Sequence, residues 1–109
     1  MSARNAVLPI ELTSMASGDI AAGFTAINAD GLDESCHIIR FCNDTDTDVT
    51  ISYDGVTNHE YLKTGNSLLI YAMFAKARAA FRKGSVMYAK GTAGQSGNLY
   101  LSGYYQEID

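Results

Sequence analysis

The feature that most constrains this chain is a series of short apolar segments, each closed by turn-forming residues at a spacing of about ten positions. From residue 34 onward the segments are SCHIIRFCN, DVTISYD, VTNHEYL, SLLIYAMF, SVMYAKG and NLYLSGYYQ. Their β-branched and aromatic residues predict β-strands. The connections are too short for the crossover helices that a parallel sheet needs. We therefore predict an all-β fold, a single antiparallel β-sandwich of the jelly-roll or immunoglobulin-like type, with a small barrel as the alternative.

The 109 residues suit one domain. The first third of the chain lacks the regular spacing of apolar segments. Pro9 suits only an edge strand or the start of a strand, and the stretch SGDIAAGFTAINADG shows no clean period. We predict an irregular N-terminal arm over residues 1–33, with one short strand near Phe24–Ile27, and a β-sandwich domain over residues 34–109.

Glycines indicate where the chain turns. Asp54-Gly55 lies between two predicted strands and is a strong hairpin signal. Gly65 and Gly84 each precede a polar residue at the start of a strand, so we expect tight turns with positive φ there. The segment GTAGQSG, residues 91–97, is interpreted as the tip of a further hairpin.

Charge and hydropathy exclude some classes of partner. The net charge of −4 argues against a nucleic-acid-binding role. No apolar run approaches the roughly 20 residues of a membrane span, and no signal-peptide pattern precedes residue 15, so we expect synthesis in a cytoplasm. Residues 1–62 carry two basic and ten acidic residues, a net charge of −8, whereas residues 63–109 have a net charge of +4. This imbalance either drives head-to-tail self-association or is cancelled by folding.

The two cysteines, Cys36 and Cys42, are predicted to lie on one strand, on the same face, because their separation of six is even. Six residues of strand span roughly 20 Å, whereas the Cα atoms of a disulfide lie within about 7 Å. We therefore expect two free thiols that behave as small apolar residues in a reducing compartment.

The run NDTDTD, residues 43–48, raises the question of a metal site. Asp44, Asp46 and Asp48 alternate as in the first half of a calcium loop. An EF-hand loop needs glycine at its sixth position and glutamate at its twelfth, but counting from Asp44 these are Val49 and Gly55. We favour a turn in which Asn and Asp side chains bind nearby backbone. A loose cation site at the three aspartates is the alternative.

No catalytic motif is present. The sequence contains no G-x-S-x-G, P-loop, H-E-x-x-H, C-x-x-C or G-x-G-x-x-G pattern. Cys36 and His37 are adjacent, so in a strand their side chains point to opposite faces, and the same holds for His59 and Glu60. We predict a protein that is not an enzyme and needs no cofactor. A small enzyme with a site formed only in space is the least favoured hypothesis.

Tyrosine is the commonest aromatic residue, with seven copies and no tryptophan. Tyr100 and Tyr104 share a strand face, and tyrosine is favoured at interfaces. Together with basic residues of the C-terminal half, they are our candidate interface residues: Arg78, Arg82, Lys83, Tyr100 and Tyr104. A platform for carbohydrate or another receptor is the alternative use of exposed tyrosines.

Residues 34–105 also resemble a known family. The order of strands and turns is similar to that of the small β-sandwich virion structural proteins of tailed bacteriophages. The matching segments are Ile38–Phe41, Asn43–Asp46, Asp48–Gly55, His59–Leu62, Ser67–Tyr71, Gly84–Gly91 and Gly97–Ser102. Phe81–Lys83 and the alanine-rich stretch 75–80 depart from the family pattern, which has a proline and a loop there.

The resemblance implies a structural role in a virion rather than an activity. It implies a collar protein, a head-to-tail connection component or a capsid decoration protein, made in the host cytoplasm and then built into the particle. Such a protein would assemble as a ring or trimer with copies of itself and contact other phage structural proteins, with no nucleic acid or membrane partner. Each weak contact would then be strengthened by repetition.

Overall fold

The computed structural model describes residues 5–72 and 80–108. Nine strands are described: β1 Asn5–Pro9, β2 Thr13–Ala16, β3 Thr25–Ala26, β4 Ile38–Asn43, β5 Val49–Ser52, β6 Glu60–Leu62, β7 Ser67–Tyr71, β8 Tyr88–Gly91 and β9 Asn98–Ile108. One 3₁₀ turn, Ser17–Asp19, follows β2. Among these residues, no helix is long and apolar enough to cross a membrane.

The strands form two antiparallel sheets. The five-stranded sheet has the order β1-β9-β4-β7, and β2 also pairs with β9, on the side where β1 lies. The four-stranded sheet has the order β3-β8-β5-β6. The prediction of an all-β, antiparallel β-sandwich is confirmed.

The core consists of the inward side chains of both sheets. In β4 the burial alternates, with Ile39 and Phe41 buried and Arg40 exposed between them. Leu99 and Leu101 of β9 are fully buried beside them, and Ile51 of β5 is buried in the opposite sheet. This is the period-2 pattern expected of strands with one face on a core and one in water.

Residues 1–33, which we expected to form an irregular arm, contribute three short strands to the two sheets. β1 and β2 pair with successive parts of β9, and β3, which matches the short strand predicted near Phe24–Ile27, pairs with β8. Strands before residue 34 are thus hydrogen-bonded to strands of the predicted sandwich segment. β9 is 11 residues long and offers one edge to two short strands in turn, so the chain between β1 and β2 only has to bend at Ile10–Leu12.

Two predicted hairpins have different outcomes. β5 and β6 pair directly across the loop that contains Asp54-Gly55, and Gly55 has φ +80°, so this hairpin is confirmed. The segment 92–97 is not a hairpin tip, because β8 belongs to one sheet and β9 to the other. It is instead a connection between the two sheets. The positive φ expected at Gly65 and Gly84 is confirmed, with values of +82° and +88°.

The cysteines are free, as predicted, but they do not share a strand face. Cys36 precedes β4, is fully buried and forms an isolated antiparallel bridge with Phe81. Cys42 lies within β4 and is half-buried on the outward side. The chain bends at His37, between Cys36 and the start of β4, and this bend breaks the simple alternation on which the prediction depended.

Candidate interaction surface

The outward face of the five-stranded sheet carries a row of large apolar side chains. In the strand register Tyr71 of β7 lies opposite Ile38 of β4, which lies opposite Tyr104 of β9, which in turn lies opposite Pro9 of β1. Tyr71 is 53% exposed and Tyr104 is 41% exposed. Aromatic and β-branched side chains in cross-strand register are within contact distance of each other, so the row forms a continuous apolar band across the sheet.

The next row holds the one charge at the centre of this face. Leu69 of β7, 46% exposed, lies opposite Arg40 of β4, which lies opposite Ser102 of β9. Arg40 is exposed on a strand whose neighbouring outward residues are Ile38 and Cys42. A cation is therefore surrounded along its strand, and on the β7 side, by uncharged side chains.

A shallow cavity extends the apolar band toward the β1 edge. Val7, Ile38 and Tyr104 line a depression of about 190 Å³, together with His37, Tyr105 and Gln106. Val7 lies opposite Gln106 in the β1–β9 register and is 65% exposed. Leu12, in the bend between β1 and β2, is also exposed. We call this outward face, with Val7, Ile38, Leu69, Tyr71 and Tyr104, the apolar sheet face.

Seven large apolar side chains are exposed among the described residues, and four of them belong to the apolar sheet face; the others are Leu12, Val56 and Tyr61. Single exposed apolar residues are ordinary on proteins, but a contiguous group marks an interaction surface. The clustering therefore makes this face the strongest candidate for contact with another molecule.

The structure places the predicted interface residues in separate regions of the surface. Tyr100 and Tyr104 do lie on the outward face, with Tyr100 half-buried opposite Cys42 and within 3.5 Å of the Asn98 side-chain amide. Arg82 and Lys83 are exposed in a turn elsewhere, where the Lys83 backbone N–H donates a hydrogen bond to the Ser35 hydroxyl. Arg78 lies outside the described residues.

The turn with Arg82 and Lys83 also bears on the charge imbalance. Gly84 donates a hydrogen bond to the Leu32 carbonyl oxygen, so this basic turn packs beside the segment that contains Asp33 and Glu34. Folding thus places basic residues of the second half next to acidic residues of the first. This interleaving weakens the charge separation that the linear sequence displays.

The acidic run connects β4 to β5, and its carboxylates bind different loops. Both Asp46 carboxylate oxygens accept hydrogen bonds from the Gln95 backbone N–H at 3.0 Å. Asp48 accepts from the Thr64 backbone N–H at 2.9 Å and from the Tyr61 hydroxyl at 2.8 Å. The Gln95 and Thr64 N–H groups are the main causes that lower the pKa values of Asp46 and Asp48 respectively.

Asp46 and Asp48 thus bind the backbone of distant loops rather than the nearby backbone that the turn interpretation specified. Their carboxylates serve as acceptors for the 94–97 and 63–66 loops, which holds those loops against the β4–β5 connection. Within residues 5–72 and 80–108, no group of three or more His, Cys, Asp or Glu side chains is placed to hold a metal ion.

Asn43, at the end of β4, is the organising residue that sequence reasoning treated only as a turn former. Its side chain is fully buried. The amide donates to the carbonyl oxygens of Thr47 and Leu62, and Oδ1 accepts from the backbone N–H and the hydroxyl of Thr45. Thr64 adds a hydrogen bond from its hydroxyl to the Thr45 carbonyl oxygen. The only sequence signal was an Asn and a Thr two residues apart at a strand end.

The residues with catalytic potential are engaged in structural contacts. His59 Nδ1 accepts a hydrogen bond from the Tyr53 backbone N–H, and its ring lies 5.3 Å from the Tyr53 ring. Burial, and then the nearby Glu60 carboxylate, raises the pKa of Tyr53. Burial is also the main cause that raises the pKa of the Cys36 thiol, with smaller contributions from Glu34 and Asp33. A buried thiol with a raised pKa is a poor nucleophile.

Comparison with other proteins adds no assignment. No protein-family model, curated protein or solved structure matches this chain.

Proposed function

We propose that this chain is a non-enzymatic structural component of a tailed-phage virion that assembles with copies of itself, at the head–tail junction or collar or on the capsid. The observation that carries the proposal is the apolar sheet face, on which Ile38 is flanked by Tyr71 and Tyr104 in one cross-strand row. Large apolar side chains gathered on one sheet face stabilise assembly when they are covered.

Two further features support this proposal. The order of strands and turns over residues 34–105 is similar to that of virion β-sandwich proteins. Asp46, Asp48 and His59 are residue types that can act in catalysis or bind a metal. Here each accepts a hydrogen bond from a backbone N–H group and so stabilises the fold. A compact sandwich with one exposed apolar sheet face suits a structural protein that is present in many copies in a particle.

The proposal is tested by the mass of the purified chain in solution, measured by light scattering over a range of concentrations at low and high salt. We expect an oligomer whose share rises with concentration and that persists at high salt, because burial of apolar surface is not screened by ions. An oligomer that dissociates at high salt would instead assign assembly to the charged residues. A monomer under all conditions would overturn self-assembly.

The place in a virion needs a separate test. Antibodies against the chain should bind purified tailed particles from the same source at one fixed position, visible by electron microscopy with gold-labelled antibody. Tailed particles that lack the chain would contradict the virion role while leaving self-assembly intact.

A carbohydrate-binding module is the second candidate, and one observation favours it. Tyr61 is 61% exposed, and its hydroxyl is held by Asp48 beside a groove of about 570 Å³ that Lys63 and Asn66 also line. An oriented aromatic ring next to charged and amide groups is suited to a sugar, which has one apolar face and many hydroxyls. On this alternative, Tyr61→Ala abolishes saturable binding to a glycan array and Tyr104→Ala does not.

A further inference from the structure

The outer edge of β7 is unusually open to strand addition. β7 has the sequence SLLIY, with no charge, proline or glycine, and it lies at the end of the five-stranded sheet, paired only with β4 among the described strands. Alternate residues of such an edge point backbone N–H and C=O groups away from the sheet. Natural proteins usually protect edges with charges, proline, bulges or very short strands.

The other described edges have such protection. β1 contains Pro9 and β6 contains Glu60, with Lys63 directly after it. β3 is only two residues long, and β2 is four residues long and is followed directly by the 3₁₀ turn that begins at Ser17. β7 is thus the longest edge strand, in the described part of the chain, that contains neither a charge nor a proline. An edge that is uncharged and apolar is suited to pairing with another strand.

We propose that β7 pairs antiparallel with β7 of a second copy, about a two-fold axis at Leu69, so that two five-stranded sheets become one continuous sheet. This inference rests on the self-assembly proposed above and adds one contact to it, at the sheet edge; the joined apolar sheet faces stay available to other components of the particle. In this register Leu69 lies opposite Leu69 of the partner subunit, and Ser67 lies opposite Tyr71 of the partner subunit. Because the offset is even, outward side chains stay outward, and the two apolar sheet faces join at the axis.

Charge favours this edge contact over face-to-face packing of the same sheets. Arg40 is exposed at the centre of the apolar sheet face, so stacking that face on a copy of itself would bring two guanidinium groups together. In the edge contact the two Arg40 residues are three strand spacings apart, roughly 14 Å. That distance exceeds the Debye length of about 8 Å at physiological ionic strength. β7 itself carries no charge and so meets no repulsion.

The area that this contact buries predicts its strength. A pair of five-residue strands buries less than the roughly 1,200–2,000 Å² of a standard stable interface. The isolated dimer is therefore weak and depends on concentration. In a repeating particle, where each copy is held by other contacts as well, a weak edge contact is strengthened by high effective concentration.

The contact is tested on the full chain with Leu69→Lys, which places two cations opposite each other at the axis. Leu69 faces outward and is half-exposed, so a lysine there keeps its charge in solvent in the monomer. We expect at least a tenfold weaker dimer by analytical ultracentrifugation, with an unchanged circular dichroism spectrum. Val56→Lys, at a position that is 82% exposed in the β5–β6 connection, is the matched control and leaves the dimer intact. Mixing Leu69→Lys with Leu69→Glu should restore association.

A cross-link then tests the register. In a Cys42→Ser background, Leu69→Cys should form a disulfide-linked dimer under mild oxidation, because directly opposed Cα atoms in an antiparallel pair lie about 4.5–5.5 Å apart. Ser67→Cys should not, since the two Ser67 positions would be roughly 13 Å apart along the strands.

The outcomes separate this inference from the function it rests on. An oligomer that Leu69→Lys does not weaken, and that Leu69→Cys does not cross-link, overturns the β7 contact and leaves self-assembly standing. A wild-type chain that stays monomeric at every concentration overturns both.

Discussion

Asn43 and Leu62 belong to opposite sheets, and the Asn43 side-chain amide donates a hydrogen bond to the Leu62 carbonyl oxygen across 3.0 Å. The same side chain binds Thr45 and Thr47 within the β4–β5 connection. One buried amide thus holds the end of β4, the following loop and the end of β6 in a fixed relationship. Leucine or alanine could not do so, because neither side chain can donate or accept a hydrogen bond.

Replacement of this residue should be costly. Asn43→Ala removes the hydrogen bonds to Thr47, Leu62 and Thr45 from a fully buried site, where the Thr47 carbonyl oxygen keeps a second donor, the Thr45 hydroxyl. We therefore expect a loss of about 2–4 kcal/mol in the free energy of unfolding. Urea unfolding followed by circular dichroism measures this change. The matched control is Asn58→Ala, at an exposed position in the β5–β6 connection, which should change stability by less than about 0.5 kcal/mol. Equal effects of the two substitutions would contradict the role given to Asn43.

Gly97 lies so close to the Asp44 backbone that a larger residue type cannot fit at position 97. It has φ +84°, and a Cβ atom built on it would overlap the Asp44 carbonyl oxygen. Gly97→Ala should therefore lower the melting temperature by roughly 8 °C or more, which corresponds to about 2 kcal/mol in a domain of this size. Gly23→Ala is the control, since Gly23 has no positive φ and nothing lies within 4 Å of an added Cβ. An equal effect of both substitutions on melting temperature would show that the close contact with Asp44 does not destabilise the Gly97→Ala variant.

The strands from β4 onward could be predicted because their signal is local. Residues such as Ile39, Phe41 and Ile51 recur with period 2 and are bounded by turn residues, and the structure buries them as that pattern requires. β1 and β2 could not be predicted in the same way. Their pairing depends on the length of β9, which is about 90 residues away along the chain, and Pro9 argues only against a central strand.

The candidate interaction surface could likewise be predicted only in part from the sequence. The shared face of Tyr100 and Tyr104 follows from their even spacing in one strand. That Tyr71 and Tyr104 both flank Ile38 depends on which strands are neighbours, and spacing within a segment does not contain that information. The loop 92–97 shows the same limit, because glycine-rich turns serve hairpins and connections between sheets equally well.

Acid should destabilise the β5–β6 connection through Asp54. Its Oδ1 accepts hydrogen bonds from the backbone N–H groups of Thr57 and Val56 and from the Ser52 hydroxyl, and the Thr57 N–H is the main cause that lowers the pKa of this carboxyl. A pKa that is lower in the folded state contributes stability above the unfolded value of about 3.9. That contribution is lost as the pH falls through the folded-state pKa.

Asp54→Asn tests this linkage. The substitution removes the titrating group, so we expect the melting temperature to fall less steeply than in the wild type between about pH 4 and pH 2. Val56→Ala, which keeps the backbone N–H that binds Asp54, should retain the wild-type slope. Parallel pH profiles for Asp54→Asn and the wild type would show that this carboxylate does not contribute to acid sensitivity.

The two thiols should differ sharply in reactivity. Cys36 is fully buried, its Sγ lies 3.5 Å from the Glu34 carbonyl oxygen, and burial raises its pKa. Cys42 is half-buried on the outward side of β4, between Ser67 and Tyr100. Because the thiolate is the reactive form and must be accessible, a thiol reagent at neutral pH should modify one cysteine per native chain. Cys42→Ser should abolish that reaction and Cys36→Ala should preserve it, while both thiols of the wild type react in denaturant. Fast modification of native Cys42→Ser would mean that the region around Cys36 and Phe81 opens far more readily than its burial indicates.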